Sequence, residues 1–258
     1  MSNPFVFKNI ITGKKSFKNV YSLLFDGVSE ALNIDSTRTS LATTTVGTLA
    51  GWIKMPNAAT GTSRAIISFG DTDLNNDMLF YMDTGNLLGM QARSAGVALW
   101  LLQTDANPFT NNVWAHIAIV QNGTSPVIYV NGTSPAQTFT IGTNKTIWFN
   151  DLSLLDNGRI ACRNFNGGGD TLFVNAYIDE VSIWNTNLSA AQITELYNNG
   201  KPGNLKKHSA FSNLNMWIRG DGATYDGTNF TFPNSSGNNS NTSTSINMEL
   251  ADLVNDVP

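Results

Sequence analysis

From Tyr21 onward, short apolar runs alternate with turn residues at the roughly 8–12-residue spacing of an all-β sandwich or barrel. The clearest runs are Tyr21–Phe25, Thr48–Met55, Ala65–Phe69, Met78–Met82, Ala98–Gln103, Trp114–Val120, Val127–Val130 and Ala176–Trp184. Asp26-Gly27, Asn122-Gly123, Asn131-Gly132, Asn157-Gly158 and Gly167-Gly168-Gly169 fall between them. Asn-Gly and Asp-Gly pairs tolerate the positive φ angles of type I′ turns. Val127–Val130 followed by Asn131-Gly132 therefore predicts a strand running into a hairpin. The strand–helix alternation of a parallel α/β fold is missing. One helix is predicted, over 190–198: Ser189 caps it with Gln192 three residues on, and Ile193, Leu196 and Tyr197 form one apolar stripe. Gly200 is placed to end it in the left-handed conformation and Pro202 to prevent its resumption. Nothing on this helix suggests chemistry; it reads as a latch on the sandwich.

The two ends of the chain read differently. Residues 1–20 form an arm with Lys8, Lys14, Lys15 and Lys18, no acid, and interleaved Phe5, Phe7, Ile10, Ile11 and Phe17. It reads either as a terminus or first strand, or as an assembly arm that docks on a neighbouring subunit. Residues 204–258 form an extension with the basic patch Lys206-Lys207-His208, one more strand over Leu214–Arg219, and a closing apolar segment Met248–Val254. Asn234–Thr244 consists only of Asn, Ser, Thr and Gly. Such a stretch buries too little apolar surface to order itself and reads as a loop or linker.

Composition narrows the function classes. Of 258 residues 41% are hydrophobic, enough for a core, and only 13% are charged, about half the usual ~25%. Asn, Thr, Ser and Gly take the place of the missing charges. With a net charge of -4 the chain lacks the Lys and Arg cluster that a nucleic-acid backbone demands. Cys162 is the single cysteine, so no disulfide forms within the chain. A reducing compartment during assembly fits this, as does a cysteine-poor secreted bacterial protein. No secretory leader is expected from the first twenty residues, and no apolar run reaches the ~18 residues of a membrane span.

Tyr21–Gly27, Thr48–Lys54 and Ile66–Asp71 resemble the opening strands of laminin-G-like domains of the concanavalin A-like group. Trp114–Val120 followed by Ile128–Gly132 resembles their central hairpin. Ala176–Asn185, continuing into Leu188–Ile193, resembles their closing strand and the helix after it. The resemblance implies an all-β fold, a two-sheet antiparallel jelly-roll sandwich over residues 21–203, with one short helix and terminal extensions. This fold hosts lectins, glycosidases, adhesins and virion proteins alike. The tail, through Tyr197–Leu205, Trp217–Tyr225 and Leu253–Pro258, resembles those of structural proteins of tailed bacteriophages. That resemblance implies a capsid decoration, fibre or tail-associated subunit, located in the virion and partnered by other virion proteins and by copies of itself. The alternative is a secreted or cell-surface glycan-binding adhesin or lectin domain.

Glycoside hydrolysis needs two carboxylates ~5–5.5 Å or ~6.5–9.5 Å apart. The β-glucanases of this superfamily carry Glu-X-Asp-X-X-Glu, which none of Glu30, Glu180, Glu195 and Glu249 begins. Asp179 and Glu180 are adjacent and should point to opposite faces of their strand, so no enzyme is expected. His116 and His208, with one cysteine, do not build a Cys/His zinc site. Calcium is the better metal candidate. Asp71, Asp73 and Asp77 space oxygens like the start of an EF-hand loop, although Asn76 stands where that loop needs Gly and Met82 where it needs Glu. A polar loop built from Asx-turns explains the same residues. By alternation Asp179 shares a face with Val181 and Ile183, and in calcium-binding relatives an acid here can be a ligand, with Asp26 joining it. For carbohydrate, Trp52, Tyr81, Trp100 and Trp148 are the candidate platforms, set against core packing of the same rings.

Overall fold

Each of the eight apolar runs becomes a strand in the computed structural model, which describes residues 17–258 apart from Leu74 and Ser153. The chain begins with β1 (Ser22–Asp26), β2 (Ala31–Asn33) and helix α1 (Asp35–Leu41). Then come β3 (Gly47–Lys54), β4 (Arg64–Gly70), β5 (Asp77–Met82), β6 (Leu88–Ser94) and β7 (Val97–Thr104). They are followed by β8 (Ala115–Gln121), β9 (Pro126–Val130), β10 (Gln137–Gly142) and β11 (Asn157–Ile160). A short hairpin of β12 (Arg163–Asn164) and β13 (Asp170–Thr171) precedes the long β14 (Asn175–Trp184) and helix α2 (Ala190–Tyr197). The chain closes with β15 (Leu214–Ile218), β16 (Thr224–Tyr225), β17 (Phe230–Pro233), β18 (Thr242–Ile246) and β19 (Leu253–Val254).

These strands form two large antiparallel sheets. The ten-stranded sheet runs β10-β7-β6-β5-β4-β11-β2-β18-β17-β16, and the seven-stranded sheet runs β19-β1-β14-β3-β8-β9, with β15 added on β14. β1 pairs with the first half of β14 and β15 with its second half, while β3 takes the opposite edge. Alternation along the strands builds the core between the sheets. Leu49 and Ile53 of β3, Ile67 and Phe69 of β4, and Met78, Phe80 and Met82 of β5 meet there. Each fully buried aliphatic or Phe side chain of this kind contributes ~1.5–3 kcal/mol.

A second apolar layer lies on the outer face of the seven-stranded sheet. Ala50, Ala118 and Trp184 from that face pack against Ile193 and Leu196 of α2, and against Leu205 and Trp217 beyond it. The predicted latch is thus present. Ser189 Oγ accepts from the Gln192 amide at 3.3 Å, and Gln192 Oε1 accepts from the Ser189 amide at 2.9 Å. The left-handed ending starts earlier than expected, at Asn198 (φ 47°), and runs through Asn199 and Gly200.

Three expectations are corrected. There are two α-helices among the described residues: α1 lacks an apolar stripe and is held by polar contacts instead. Asp35 Oδ1 accepts from the Gly158 amide and from Arg159, both at 2.7 Å, and Arg38 donates to the Leu155 carbonyl at 2.8 Å. The 204–258 segment is woven into both sheets, through β15 and β19 in one and β16–β18 in the other. Finally, the Asn/Ser/Thr stretch is ordered by its own amides. Asn234 Oδ1 accepts from the Trp217 amide at 3.0 Å, Asn234 and Asn239 both donate to the Asn215 carbonyl, and Thr242–Ile246 forms β18.

The Asn131-Gly132 turn adopts the left-handed geometry that the sequence predicted, with φ of 49° and 80°. A Cβ on Gly132 would lie 2.9 Å from the Tyr197 ring of α2. Gly123 has a similar φ of +83°, but a Cβ there meets only Val46 at 3.4 Å. Both Gly→Ala changes incur the left-handed penalty of roughly 1–2 kcal/mol, and Gly132→Ala adds a clash with the latch. Urea unfolding of the two variants should show Gly132→Ala to be the less stable; equal midpoints would contradict the packing described.

Candidate binding site

The outer face of the ten-stranded sheet carries a charged and aromatic cluster. β5 turns Asp77, Leu79 and Tyr81 away from the core, and β6 does the same with Gln91 and Arg93. The register sets Asp77 beside Arg93, Leu79 beside Gln91, and Tyr81 beside Gly89. On β7, Leu101 and Gln103 continue the same rows. The β12–β13 hairpin folds back over β4 on this face. Ser68 Oγ donates to the Cys162 carbonyl at 2.9 Å, and the Ala65 amide donates to the Leu172 carbonyl at 2.7 Å. A Cβ on Gly70 would sit 2.0 Å from the Asn164 carbonyl oxygen, so the close approach of the hairpin requires glycine there.

The hairpin delivers Arg163 and Phe165 to the cluster. Asp77, fully buried, faces Arg163 Nη2 at 2.6 Å and Arg93 Nε at 3.8 Å. Gln91 Nε2 donates to both of its oxygens, at 3.3 and 3.2 Å. Arg163 stacks on the Phe165 ring at 3.6 Å from its centroid, and Arg93 lies at 5.7 Å from the same ring. Arg163 Nη2 is engaged by Asp77 in this ion pair, while its Nε is buried without an acceptor among the described residues. Arg93 is 30% exposed, and its Nε lacks a hydrogen-bond acceptor among the described residues. Burial pushes the Asp77 carboxyl upward against the pull of Arg163 and Arg93. Burial also lowers Arg163 and lifts Tyr81 to about 12. At the far end of the face, Gln103 donates to Asp83 at 2.6 Å.

The residues proposed from sequence fall elsewhere. Trp52, Tyr81, Trp100 and Trp148 are 4%, 8%, 0% and 1% exposed, so none offers the exposed platform expected of it. Trp100 donates to the Ile147 carbonyl, and Trp52 stacks against Tyr197 of α2. These rings have large apolar areas and the two layers absorb them. Only Tyr81 borders the cluster just described. Among the calcium candidates, Asp26 accepts from the amides of Val28, Ser29 and Glu30 within its own loop. Asp71 accepts from the Asp73 amide at 2.7 Å, in the Asx-turn manner, and Asp73 is exposed. Asp77 is held by the arginines. Asp26 pairs with Asn175, four residues from Asp179, which puts the two acids about 13 Å apart at ~3.3 Å per residue. Among the described residues no three His, Cys, Asp or Glu side chains converge on a metal position. Of the arm, Phe5, Phe7, Lys8, Lys14 and Lys15 lie outside the described residues; Phe17 stacks on Trp217 at 6.1 Å.

A family model of the concanavalin A-like lectin/glucanases superfamily, Laminin_G_3, matches residues 26–194. The chain belongs to this family. No curated protein matches the chain. Among solved structures it is similar to a point mutant of the NanB sialidase from Streptococcus pneumoniae, at 17% identity and a TM-score of 0.57 over 67% of this chain. The chain spans 27% of that sialidase. It is also similar to the CBM40 module of Ruminococcus gnavus IT-sialidase bound to alpha2,3 sialyllactose, at 14% identity and a TM-score of 0.56, over 70% of this chain and 97% of the module. A candidate carbohydrate binding protein from Bacteroides ovatus matches 90% of this chain and 59% of its own, at 14% identity and a TM-score of 0.56. At such identities the likeness establishes the fold, a jelly-roll sandwich of the concanavalin A-like type.

In this laminin-G-like sandwich the adjacent acids of β14 are not where alternation puts them. β14 bulges: Asp179 pairs with Trp52 but Ser182 with Ala50, so one strand uses an extra residue. Glu180 takes φ 51°. Ile178 and Val181 both keep to the core, and the two acids leave it together on the outer face. Asp179 accepts from Asn19 Nδ2 at 2.7 Å. Glu180 accepts from Arg219 Nε at 2.8 Å and from the Trp217 indole. Expected to share the face of Val181 and Ile183, Asp179 is turned away from them by the bulge. Both acids are buried and committed to these donors, and nearby His116 is driven down to about 3 by burial and stays neutral.

Burial also drives both acids upward, Asp179 well above the usual range and Glu180 to about 7. An acid held above its unfolded value makes the native state bind protons more tightly. Its contribution is present below the unfolded value of 4.5 and is lost as pH rises through about 7. The carboxylates held low, such as Asp26, Asp156 and Asp256, act below this window. Urea unfolding at pH 5 and pH 8 should therefore show the wild type less stable at pH 8, with Glu180→Gln narrowing the gap. An unchanged gap in the variant would show that Glu180 does not titrate in this range.

Proposed function

We propose that this domain binds glycans through the outer face of its ten-stranded sheet. The observation that carries the reading is the Arg93 guanidinium beside the Phe165 ring, on a face that continues along Gln91 and Leu101 to Gln103. The matching face of the seven-stranded sheet is covered by α2 and the segment after it. Planar polar groups beside an aromatic ring are what a saccharide needs. Guanidinium and amide groups meet its hydroxyls, and the ring meets its C–H surface. The family and the carbohydrate-binding neighbours support this reading. They lend no support to the virion role expected from the tail, so the lectin alternative is preferred. The domain acts as a binding module and not as a glycosidase, in keeping with two buried, hydrogen-bonded acids on β14.

Glycan-array screening of the full chain, followed by titration of the best ligand, tests this. Phe165→Ala should weaken binding roughly tenfold, in line with ~0.5–1.5 kcal/mol for one aromatic contact, and leave the melting temperature within a few degrees. Absence of any glycan binding, or binding unaffected by Phe165→Ala, would sink the proposal.

A further inference from the structure

Resting on the glycan-binding reading, we infer that this face selects an acidic sugar, one carrying a carboxylate or a sulfate, and that Arg93 supplies the contact. The cluster holds two guanidinium groups against one buried carboxylate. Arg163 closes on Asp77 at 2.6 Å. Arg93 stays 3.8 Å from Asp77 and makes no hydrogen bond among the described residues, with a side chain 30% exposed. One positive charge is therefore left over at the rim. Asp170, on the same hairpin, is engaged by Arg159 at 3.1 Å. Asp83 lies six residues further along the β5 direction, roughly 20 Å away at strand rise, and is engaged by Gln103. Neither is paired with Arg93.

The donors available are also of the right kind. Nε of Arg93, and Nε and Nη2 of Arg163, are buried on the Asp77 side, so a ligand meets the exposed remainder of the Arg93 side chain, which makes no hydrogen bond among the described residues. Phe165 backs both guanidinium planes, at 3.6 Å for Arg163 and 5.7 Å for Arg93, and so restricts their orientation. A guanidinium presents parallel N–H groups that match the paired oxygens of a carboxylate or sulfate. A neutral hydroxyl uses only one of them. The net charge of the chain, -4, is unfavourable to anions elsewhere and makes this local excess of positive charge the discriminating feature.

The test compares alpha2,3 sialyllactose, a sulfated lactose and plain lactose by calorimetry at low and high salt, on wild type, Arg93→Gln and Arg93→Lys. At least one acidic sugar should bind about tenfold or more tightly than lactose, with affinity falling as salt rises. Arg93→Gln should remove that difference. Arg93→Lys should keep the salt dependence but lose most of the affinity, because the charge survives and the fork does not. Both variants should melt within a few degrees of wild type, since Arg163 and Gln91 remain on Asp77 and Arg93 makes no hydrogen bond among the described residues. Equal binding of lactose and the acidic sugars, or indifference to Arg93→Gln, overturns this inference while leaving the glycan-binding reading in place. Failure of every glycan to bind, on the array as in solution, overturns both.

Discussion

The seven-stranded sheet is buried on both faces, and the rest of the molecule is arranged around that constraint. All eight residues of β3 are buried, with Leu49 and Ile53 facing one apolar layer and Ala50 the other. A strand of this kind is unstable with one side wet. The outer layer has to come from outside the sandwich, and α2 with the segment through Trp217 provides it. This is why residues beyond 203 belong structurally to the domain. In the ten-stranded sheet β4 and β5 are also buried throughout, and its outer face is left partly open only from the end of β6 across β7 and β10.

Covering the outer face has a further consequence at its centre. β14 has β1 and β15 end to end on one edge, and the bulge at Asp179–Glu180 falls where one gives way to the other. The bulge delivers two acids into a nearly dry layer, where they persist because Asn19, Trp217 and Arg219 supply donors. Buried charge is tolerated only when it is paired in this way. The same rule acts on the opposite side of the molecule. Asp77 would be untenable alone, and Arg163 and Gln91 accommodate it. In meeting that demand the β12–β13 hairpin brings Arg163 and Phe165 beside Arg93. One cluster closes a structural seam; the other leaves a guanidinium to spare.

What could be read from the sequence followed periodicity and local capping. The tight turn at Asn131-Gly132 and the Ser189–Gln192 box depend on residues within a few positions of one another, and both form. The turn closes with the single bridge Val130–Thr133, however, and the next strand, β10, crosses to β7 of the other sheet in place of completing a hairpin with β9. Apolar patterning located β1, β3–β5, β7–β9, β14 and β15; β6 and β10, whose apolar residues are interleaved with polar or small ones, fell outside the runs read from it. It could not report the bulge, because a non-glycine residue at positive φ, as at Glu180, carries no mark in the sequence. The composition argument misjudged Asn234–Thr244: low apolar content predicts disorder unless side-chain amides replace the missing backbone partners, and here Asn234 and Asn239 do so. The aromatic candidates failed for a related reason. Trp100 and Trp148 lie in runs or turns whose burial depends on a sheet assembled from distant segments. The binding cluster itself was invisible, since Asp77, Arg93, Arg163 and Phe165 come from two strands and a hairpin far along the chain. No local pattern marks it: the six arginines of the chain are scattered, and Arg93 and Arg163 stand 70 residues apart.

Placing the ligand is the most direct test of this account. Backbone amide shifts of the labelled chain, followed during titration with a glycan that it binds, would map the contact residue by residue. Perturbations gathered over Gln91, Arg93, Gln103 and Phe165 are predicted, with residues of α2 and the segment around Leu205 unmoved. Perturbations centred instead on α2 and Leu205, or on the strand-end loops around Asp71, would contradict the assignment of function to the outer face of the ten-stranded sheet.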